Sequence, residues 1–366
     1  MRSKTKIEFD GFIINDMEVE IKKNTKVSKI WLEIPIKKEH ARYYNICGTW
    51  PSYLGVPSGR IPATGLKMGF EPYVWVGDED RGFTFCTEEN WYWINRKTEE
   101  VIDISYNKES LIVKINLCDE EMEFKPGQKL VYRFGFLATP SRPFVKDRRL
   151  IRLGGLHPNN TRRGIGENNT LVLLPWRWAS PWMSFYPLSK DTFKQWADRQ
   201  ALLSKSFKKV YTAPYINFQK FGIQDQKGPV KEWYVKYGDL MARAPEKYNM
   251  WPHGNDEWSR TFDFCPNSKA FSDFFVWSFN KLLEEFPVMN GVYIDETFTF
   301  LCASDKHGCR GKNIFGEDAG KYPIFAHREL MKRIYIVAKK KNPDFLFWTH
   351  DSQFLKPPQR SFSDIS

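Results

Sequence analysis

The hydrophobic pattern of this 366-residue chain changes near residue 148, and this change constrains the fold more than any other feature. Up to about residue 145, apolar side chains alternate with other residues in short segments such as 30–36, 111–117 and 130–136. A period of two is typical of strands that bury only one face. Few segments with helical periodicity interrupt them. We therefore predict an antiparallel β-sandwich over residues 1–148.

Two segments shape this first part of the chain. Residues 77–82, with the sequence GDEDRG, predict a turn that joins two aromatic strands. Residues 138–143, ATPSRP, contain two prolines, which disfavour further strand pairing or helix. We place the domain boundary shortly after this segment, near residue 148.

Beyond the boundary, strand-like segments alternate with helix-like ones. We predict strands at 170–174, 209–216, 288–294 and 345–348, and helices at 191–205, at 229–243, from Ser268 onward and at 323–341. The helix that Ser268 caps carries Phe271, Phe275 and Phe279 at helical spacing. Repeated strand–helix units predict parallel strands with helices outside, as in a (β/α)8 TIM-type barrel.

The predicted barrel is incomplete. About four or five strands can be counted where a closed barrel needs eight. We therefore expect residues 149–366 to form a barrel catalytic domain that is truncated at its C-terminus. A smaller, open α/β sheet is the alternative.

The segment NGVYIDET at residues 290–297 carries the most specific chemical signal in the chain. Its apolar part predicts a buried strand, which ends in two carboxylates, Asp295 and Glu296. Active sites of barrels lie at the C-terminal ends of strands, where a buried charge is costly without a purpose. Adjacent carboxylates disfavour joint ionisation, and one acid with a raised pKa suits glycosidic cleavage. An Asp-Glu pair that caps a helix or faces water is the alternative interpretation.

The adjacency of Asp295 and Glu296 favours one mechanism of glycosidic cleavage over another. Neighbouring side chains on a strand point to opposite faces, whereas the usual carboxylate pair flanks a sugar with a separation of roughly 5 Å or more. Substrate-assisted cleavage suits Asp295 and Glu296 better. There the 2-acetamido carbonyl of the substrate attacks the anomeric carbon, one carboxylate orients the acetamido N–H, and the other protonates the leaving oxygen.

Aromatic and polar side chains at predicted strand ends are candidate sugar contacts. Aromatic residues make up 16% of the chain, with 14 Trp, and flat rings can stack on the C–H faces of sugars, although β-rich cores also use them. The candidates are Trp176, Trp178, Tyr215, Asn217, Tyr293, Trp348, His350 and Asp351.

Four motifs, in this order, resemble glycoside hydrolase family 123 and its uncharacterised relatives. They are VWVGDEDRG at 74–82 followed by Trp91, FLATPSRP at 136–143, YTAPY at 211–215 and GVYIDE at 291–296. The resemblance implies a β-N-acetylgalactosaminidase that works by substrate assistance. It implies Asp295 as the residue that orients the acetamido group and Glu296 as the acid/base, with no metal or organic cofactor. It also implies a periplasmic or secreted location.

The six cysteines do not form a C-x-x-C pair and do not indicate a disulfide framework. Cys302 and Cys309 flank a short polar loop that contains His307. One bridge or a metal site would fit this spacing, but a metal needs a fourth ligand that the sequence does not identify. Ordinary loop and core cysteines are the simpler interpretation, and we expect no metal.

Charge and hydropathy exclude some function classes. The net charge is +11, but the basic residues are dispersed and no RNA-binding or zinc-finger signature accompanies them, so we expect a glycan partner and not a nucleic acid. No run of about 18 apolar residues predicts a membrane span, and the N-terminus shows no signal peptide.

A carbohydrate-binding protein without catalysis is the alternative function. The sequence does not indicate the oligomeric state.

Overall fold

A computed structural model of the chain describes residues 1–47, 58–95, 97–143, 145–146, 148–155, 169–174, 190–217, 220–222, 236–237, 240, 261–295, 297, 299–350 and 357–365. These residues divide into two compact units. The first contains Met1–Pro143, Cys309–Ile324 and Gln353–Ser361, and the second contains Phe144–Gly308, Phe325–Ser352 and Phe362–Ser366.

The strands and helices of the described residues have the following bounds. The strands are β1 Arg2–Ile7, β2 Ile13–Glu20, β3 Thr25–Val27, β4 Ile30–Lys37, β5 Tyr43–Cys47, β6 Ser58–Arg60, β7 Leu66–Met68, β8 Tyr73–Gly77, β9 Gly82–Thr87, β10 Ile102–Tyr106, β11 Ser110–Cys118, β12 Met122–Phe124, β13 Lys129–Thr139, β14 Ile151–Gly155, β15 Thr170–Leu174, β16 Lys209–Thr212, β17 Tyr215–Asn217, β18 Lys220–Gly222, β19 Thr261–Asp263, β20 Gly291–Asp295, β21 Gly311–Lys312, β22 Asp318–Ala319 and β23 Leu346–Thr349. The α-helices are α1 Lys190–Leu203, α2 Lys269–Glu285, α3 Ile324–Lys341 and α4 Pro357–Arg360. Short 3-10 helices lie at Lys38–His40, Thr98–Glu100 and Arg148–Leu150.

The first unit is built from antiparallel sheets. One sheet has the order β1-β2-β13-β9-β8-β5-β6 and the other has the order β4-β11-β10-β7. A single apolar cluster draws side chains from both sheets, among them Val74 of β8, Ile104 of β10 and Tyr132 of β13. This sandwich-like arrangement confirms the antiparallel β structure predicted for the N-terminal part.

Strand β11 shows why the alternating pattern folds in this way. Leu111, Val113, Ile115 and Leu117 are at most 2% exposed, while the residues between them are half-buried. Since successive side chains of a strand point to opposite faces, the buried apolar set meets the shared core, and the alternate set, which includes Lys114 and Asn116, lies on the other face. The burial of one face is therefore a direct consequence of the period of two.

The predicted turn at residues 77–82 is also confirmed. Strands β8 and β9 pair so that Gly77 lies opposite Gly82, and Oδ1 of Asp78 accepts hydrogen bonds from the backbone N–H groups of Asp80 and Arg81. A Cβ atom on Gly82 would lie 2.5 Å from the indole ring of Trp75. The glycine is required here because the indole occupies the space in which any larger residue would place its side chain.

The second unit contains parallel strands. One sheet has the order β14-β15-β16 and another has the order β17-β20-β23, and all these neighbours are parallel. The predicted strand at 209–216 is split by Ala213 and Pro214 into β16 and β17. The carbonyl of Pro214 accepts a hydrogen bond from the backbone N–H of Tyr293, which ties the break to β20.

The helices of this unit lie between the parallel strands in the chain. Helix α2 is capped at Ser268, whose hydroxyl accepts a hydrogen bond from the backbone N–H of Phe271, as predicted. Phe271, Phe275 and Phe279 are at most 4% exposed and pack in a cluster that also contains side chains of α3, β20 and β23. Helices α1 and α3 match the predictions at 191–205 and 323–341 within two residues.

The described residues do not show an eight-stranded barrel. Their parallel strands form two separate three-stranded sheets, and they contain four α-helices. The helix predicted over 229–243 falls mostly outside the described residues. No helix in the described part of the chain is long and apolar enough to cross a membrane.

Candidate active site

Strand register places one set of polar and aromatic side chains on the same face of the second unit. Tyr215 of β17 pairs with Tyr293 of β20, and Tyr293 pairs with Trp348 of β23. Asp295 lies two residues after Tyr293 in β20, and His350 lies two residues after Trp348, directly past the end of β23, so they share the face of Tyr293 and Trp348. The alternate residues Ile216, Ile294 and Phe347 pack instead in the apolar cluster with helices α2 and α3, so the two faces of the sheet differ in character.

Asp295 is held by two side chains from neighbouring strands. The hydroxyl of Tyr215 donates a 2.6 Å hydrogen bond to Oδ2, and Nδ1 of His350 lies 2.6 Å from Oδ1. An ionised carboxylate can only accept, so the histidine ring donates in this pair. Short bonds of this kind, with one charged partner, are stronger than neutral ones. The orientation of the Asp295 carboxylate is therefore fixed from two sides.

The exposure of the three groups differs. Tyr215 is 3% exposed, and the side chain of Asp295 is 16% exposed, whereas the side chain of His350 is 45% exposed. Tyr215 thus holds the carboxylate from the interior, and His350 lies at the solvent side. A partly shielded carboxylate with fixed geometry can orient a polar substrate group, because its two oxygens offer more acceptor positions than two hydrogen bonds use.

Tyr293 supports this arrangement through its ring. It is 6% exposed, and its ring centroid lies 5.7 Å from that of Tyr215, 5.2 Å from that of Trp348 and 6.0 Å from that of His350. The contact with Trp348 is edge-to-face, a favourable geometry for aromatic pairs. Tyr293 therefore packs between the neighbouring aromatic side chains and is nearly inaccessible to solvent.

Backbone contacts continue the site beyond the strand ends. The backbone N–H of His350 donates to the carbonyl of Ile294 at 2.8 Å, and the hydroxyl of Thr297 donates to the carbonyl of His350 at 3.1 Å. Thr297 is 1% exposed. It was not among the sequence candidates. The available signal was its position, because a hydroxyl just after a strand end can bond to the end of the next parallel strand.

Several predicted site residues lie outside the described residues: Trp176, Trp178, Glu296 and Asp351. For Asn217, the backbone is described as part of β17 opposite Asp295, but its side chain is not. The structure thus brings together Asp295, Tyr215, Tyr293, Trp348 and His350 from the predicted set.

The described side chains that could hold a metal ion form a group that does not include Asp295. Their ligand atoms belong to Cys265, Cys302, His307 and Cys309 and all lie within 4.8 Å of one another.

Comparison with solved structures gives distant similarities to alpha-galactosidases. The GH36 alpha-galactosidase AgaA from Geobacillus stearothermophilus, in complex with stachyose, aligns with a TM-score of 0.43 and 10% identity, covering 96% of this chain and 54% of that chain. An alpha-galactosidase from Lactobacillus brevis gives 0.39 and 9%, covering 93% and 50%. TtGalA, an alpha-galactosidase from Thermus thermophilus in complex with stachyose, gives 0.41 and 9%, covering 100% and 78%. The chain spans about half the length of the first two proteins, and nothing about its substrate follows from similarities this distant.

No curated protein matches the chain. A family model does match it: residues 1–140 fit the model described as "Glycoside hydrolase 123, third domain". The match covers the motif at 74–82 and the first five residues, 136–140, of the motif at 136–143, and it supports a glycosidase. The resemblance to glycoside hydrolase family 123 is therefore confirmed over residues 1–140, which match the third domain of that family.

Proposed function

We propose that this chain belongs to a retaining glycoside hydrolase that removes terminal β-linked N-acetylhexosamine, with N-acetylgalactosamine favoured, by substrate assistance. The observation that carries the proposal is the Asp295 carboxylate, held by Tyr215 and His350 at 2.6 Å each at the end of a parallel strand. The family match over residues 1–140 supports the glycosidase class.

The proposed catalytic domain is a (β/α) barrel within residues 149–366. Parallel strands separated in the chain by helices α1, α2 and α3 support it, since this is the repeating unit of such barrels. The polar residues at the ends of β20 and β23 would then lie at the catalytic face. Trp176, Trp178, Asn217 and Asp351 complete the proposed sugar contacts.

Asp295 is suited to the orienting role for a physical reason. A carboxylate fixed on both oxygens cannot easily rotate to attack an anomeric carbon, but it can accept a further hydrogen bond from an acetamido N–H. The oriented acetamido carbonyl then attacks the anomeric carbon as Glu296 gives its proton to the leaving oxygen. Glu296 next takes a proton from water, which attacks the same carbon and restores the acetamido group with overall retention.

The first experiment compares aryl glycosides that differ only in the acetamido group. We expect the chain to hydrolyse aryl β-N-acetylgalactosaminide, and aryl β-N-acetylglucosaminide more slowly, while leaving aryl β-galactoside intact. A thiazoline that mimics the cyclic intermediate should inhibit competitively. Cleavage of the galactoside with no cleavage of either acetamido substrate would show that substrate assistance is wrong.

The Glu296→Gln variant separates an enzyme from a binding protein. Loss of the acid/base should reduce turnover of aryl β-N-acetylgalactosaminide by about 10²- to 10⁴-fold and leave sugar affinity largely intact. Titration calorimetry with N-acetylgalactosamine measures that affinity. Binding of the sugar by the unaltered chain with no turnover of any of the aryl substrates would favour the non-catalytic alternative.

A further inference from the structure

Four side chains with metal-ligating atoms converge in the second half of the chain. They are Cys265, Cys302, His307 and Cys309, and their ligand atoms all lie within 4.8 Å of one another. The three cysteines are fully buried, and Nε2 of His307 lies 3.1 Å from Sγ of Cys302. Half of the six cysteines of the chain therefore meet at one point, next to an imidazole nitrogen.

The local chain path explains how three of these side chains meet. Cys302, His307 and Cys309 belong to one short loop that follows β20, so their spacing is set by that loop. Gly308 has a φ of +69° and open space where a Cβ would be, so the left-handed backbone, and not crowding, favours glycine there. This turn lets the residues on either side of Gly308 direct their side chains to the same point.

A second segment brings the fourth side chain. Cys265 follows β19, and the turn after it leads to the N-cap of helix α2, where the backbone N–H of Ser268 donates to the carbonyl of Cys265 at 2.9 Å. The side-chain amide of Asn267 donates to the backbone carbonyl of His307. The two segments are thus joined by a hydrogen bond beside the cluster, independently of the sulfur atoms.

We propose that Cys265, Cys302, His307 and Cys309 bind one zinc ion as a structural site. Three thiolates and one imidazole are a known ligand set for structural zinc, which is four-coordinate and tetrahedral. The pair Cys302 and Cys309 with His307 lacked a fourth ligand in the sequence, and Cys265 supplies it. Because all four positions are filled by the protein, the site leaves no position for a substrate or a reactive water.

The distances suit zinc with little rearrangement. Zinc–sulfur bonds of about 2.3 Å in a tetrahedron place two sulfur atoms about 3.8 Å apart. Ligand atoms that already lie within 4.8 Å need to move by only about 1 Å to reach this geometry. Bound zinc would hold the loop of residues 302–309 to the start of helix α2, and this role does not depend on the proposed glycosidase activity.

The test measures metal content in the purified chain, prepared without chelators. We expect about one zinc per chain by mass spectrometry of the metal, and intense visible absorption typical of tetrahedral cobalt thiolate after exchange with Co²⁺. Cys265→Ser and Cys302→Ser should each lower zinc content at least about fivefold. Cys118→Ser is the matched control, since Cys118 is equally buried but lies in β11, and it should retain the metal.

Two further variants keep the test decisive if a cysteine variant does not fold. His307→Cys preserves four zinc ligands and should retain zinc, whereas His307→Ala should lose it. Removal of zinc from the unaltered chain with a chelator should lower the melting temperature. Co²⁺ that is added while the chelator is still present should give no cobalt thiolate spectrum. Zinc below about one-tenth per chain, or a Cys302–Cys309 disulfide in the non-reduced protein, would overturn the proposal.

Discussion

The two units bury polar groups in different ways. In the first unit, the alternating strands bury apolar faces. Its buried polar side chains include Thr84 and Thr87 of β9 and Glu88, which directly follows β9. In the second unit, polar side chains cluster where parallel strands end, as with Thr297 and Thr349. Parallel strands that end at the same edge bring polar residues together, which antiparallel strands do not do. We therefore expect the chemistry of this chain at the strand ends of the second unit.

The largest effect is expected at Asp295, because we propose that the strand ends of the second unit carry the chemistry. Asp295→Asn keeps the shape but removes the negative charge, so it should reduce kcat/KM for aryl β-N-acetylgalactosaminide by about 10³-fold. Asp344→Asn is the control in the same unit, since Asp344 is exposed and forms a surface ion pair with Lys209. Equal activity of the two variants would remove Asp295 from the proposed mechanism.

The next effect concerns the core beneath the second unit's strands. Phe271→Ala removes a fully buried ring at the start of helix α2 and should lower the free energy of unfolding by about 3–5 kcal/mol. Trp277→Ala on the same helix is the control, because Trp277 is 48% exposed and should cost less than about 1 kcal/mol. Denaturant unfolding followed by circular dichroism measures both. Similar costs at the two positions would contradict the assigned buried face of α2.

A smaller effect is expected when the interior support of Asp295 is removed. Tyr215→Phe deletes one hydrogen bond to the carboxylate and should lower kcat by about 10- to 100-fold, because a hydrogen bond to a charged group contributes about 1.5–3 kcal/mol. KM should change less than kcat if the bond positions Asp295 for the reaction. Tyr211→Phe in β16, the strand that precedes β17 in the chain, provides a control, with kcat expected within about twofold of the unaltered chain.

The smallest effect tests the first unit, where no chemistry is expected. Burial raises the pKa of Glu71 from 4.5 to about 7, so the folded state holds a proton that the unfolded chain releases between these values. The free energy of unfolding should therefore fall as pH rises from about 4.5 to about 7, by on the order of 2 kcal/mol. Glu71→Gln should flatten this dependence and stabilise the unit near pH 8, as measured by thermal melts across pH.

Two other carboxyl groups of the first unit provide the controls for this pH series. Burial also raises the pKa of Glu89 to about 7, so a weaker slope of the same sign should remain in Glu71→Gln. Glu123→Gln changes an exposed carboxylate on β12 and should leave the slope unaltered. A Glu71→Gln variant with an unchanged slope would show that the Glu71 carboxyl is not held in its protonated form.

Local features of the fold were predictable because they depend on residues close in the chain. The period of two predicted β11 and β13, the GDEDRG segment predicted the β8–β9 turn, and Ser268 predicted the start of α2. The break of one predicted strand at Ala213 and Pro214 was missed, although Pro214, which has no backbone N–H to pair, is a signal for it. Barrel closure stays a prediction, because it depends on strands that pair across long stretches of chain.

The candidate site was predictable only in part. The end of strand β20 identified Asp295, and the ends of neighbouring strands identified Tyr215 and His350 as candidates. Their sequence positions did not indicate that both would bond to the same carboxylate. That outcome required the parallel register of three strands, which sets which strand ends face one another.

The sequence by itself determined the antiparallel β structure of the first part, the strand–helix alternation of the second, and the acidic end of β20. Only the tertiary structure decided that Asp295 meets Tyr215, 80 residues away, and His350, 55 residues away, and that Cys265 joins the loop around His307. The physical reason is the distance along the chain over which each effect acts. Periodicity and capping act over a few residues, whereas contacts between distant residues depend on how strands pair and helices pack.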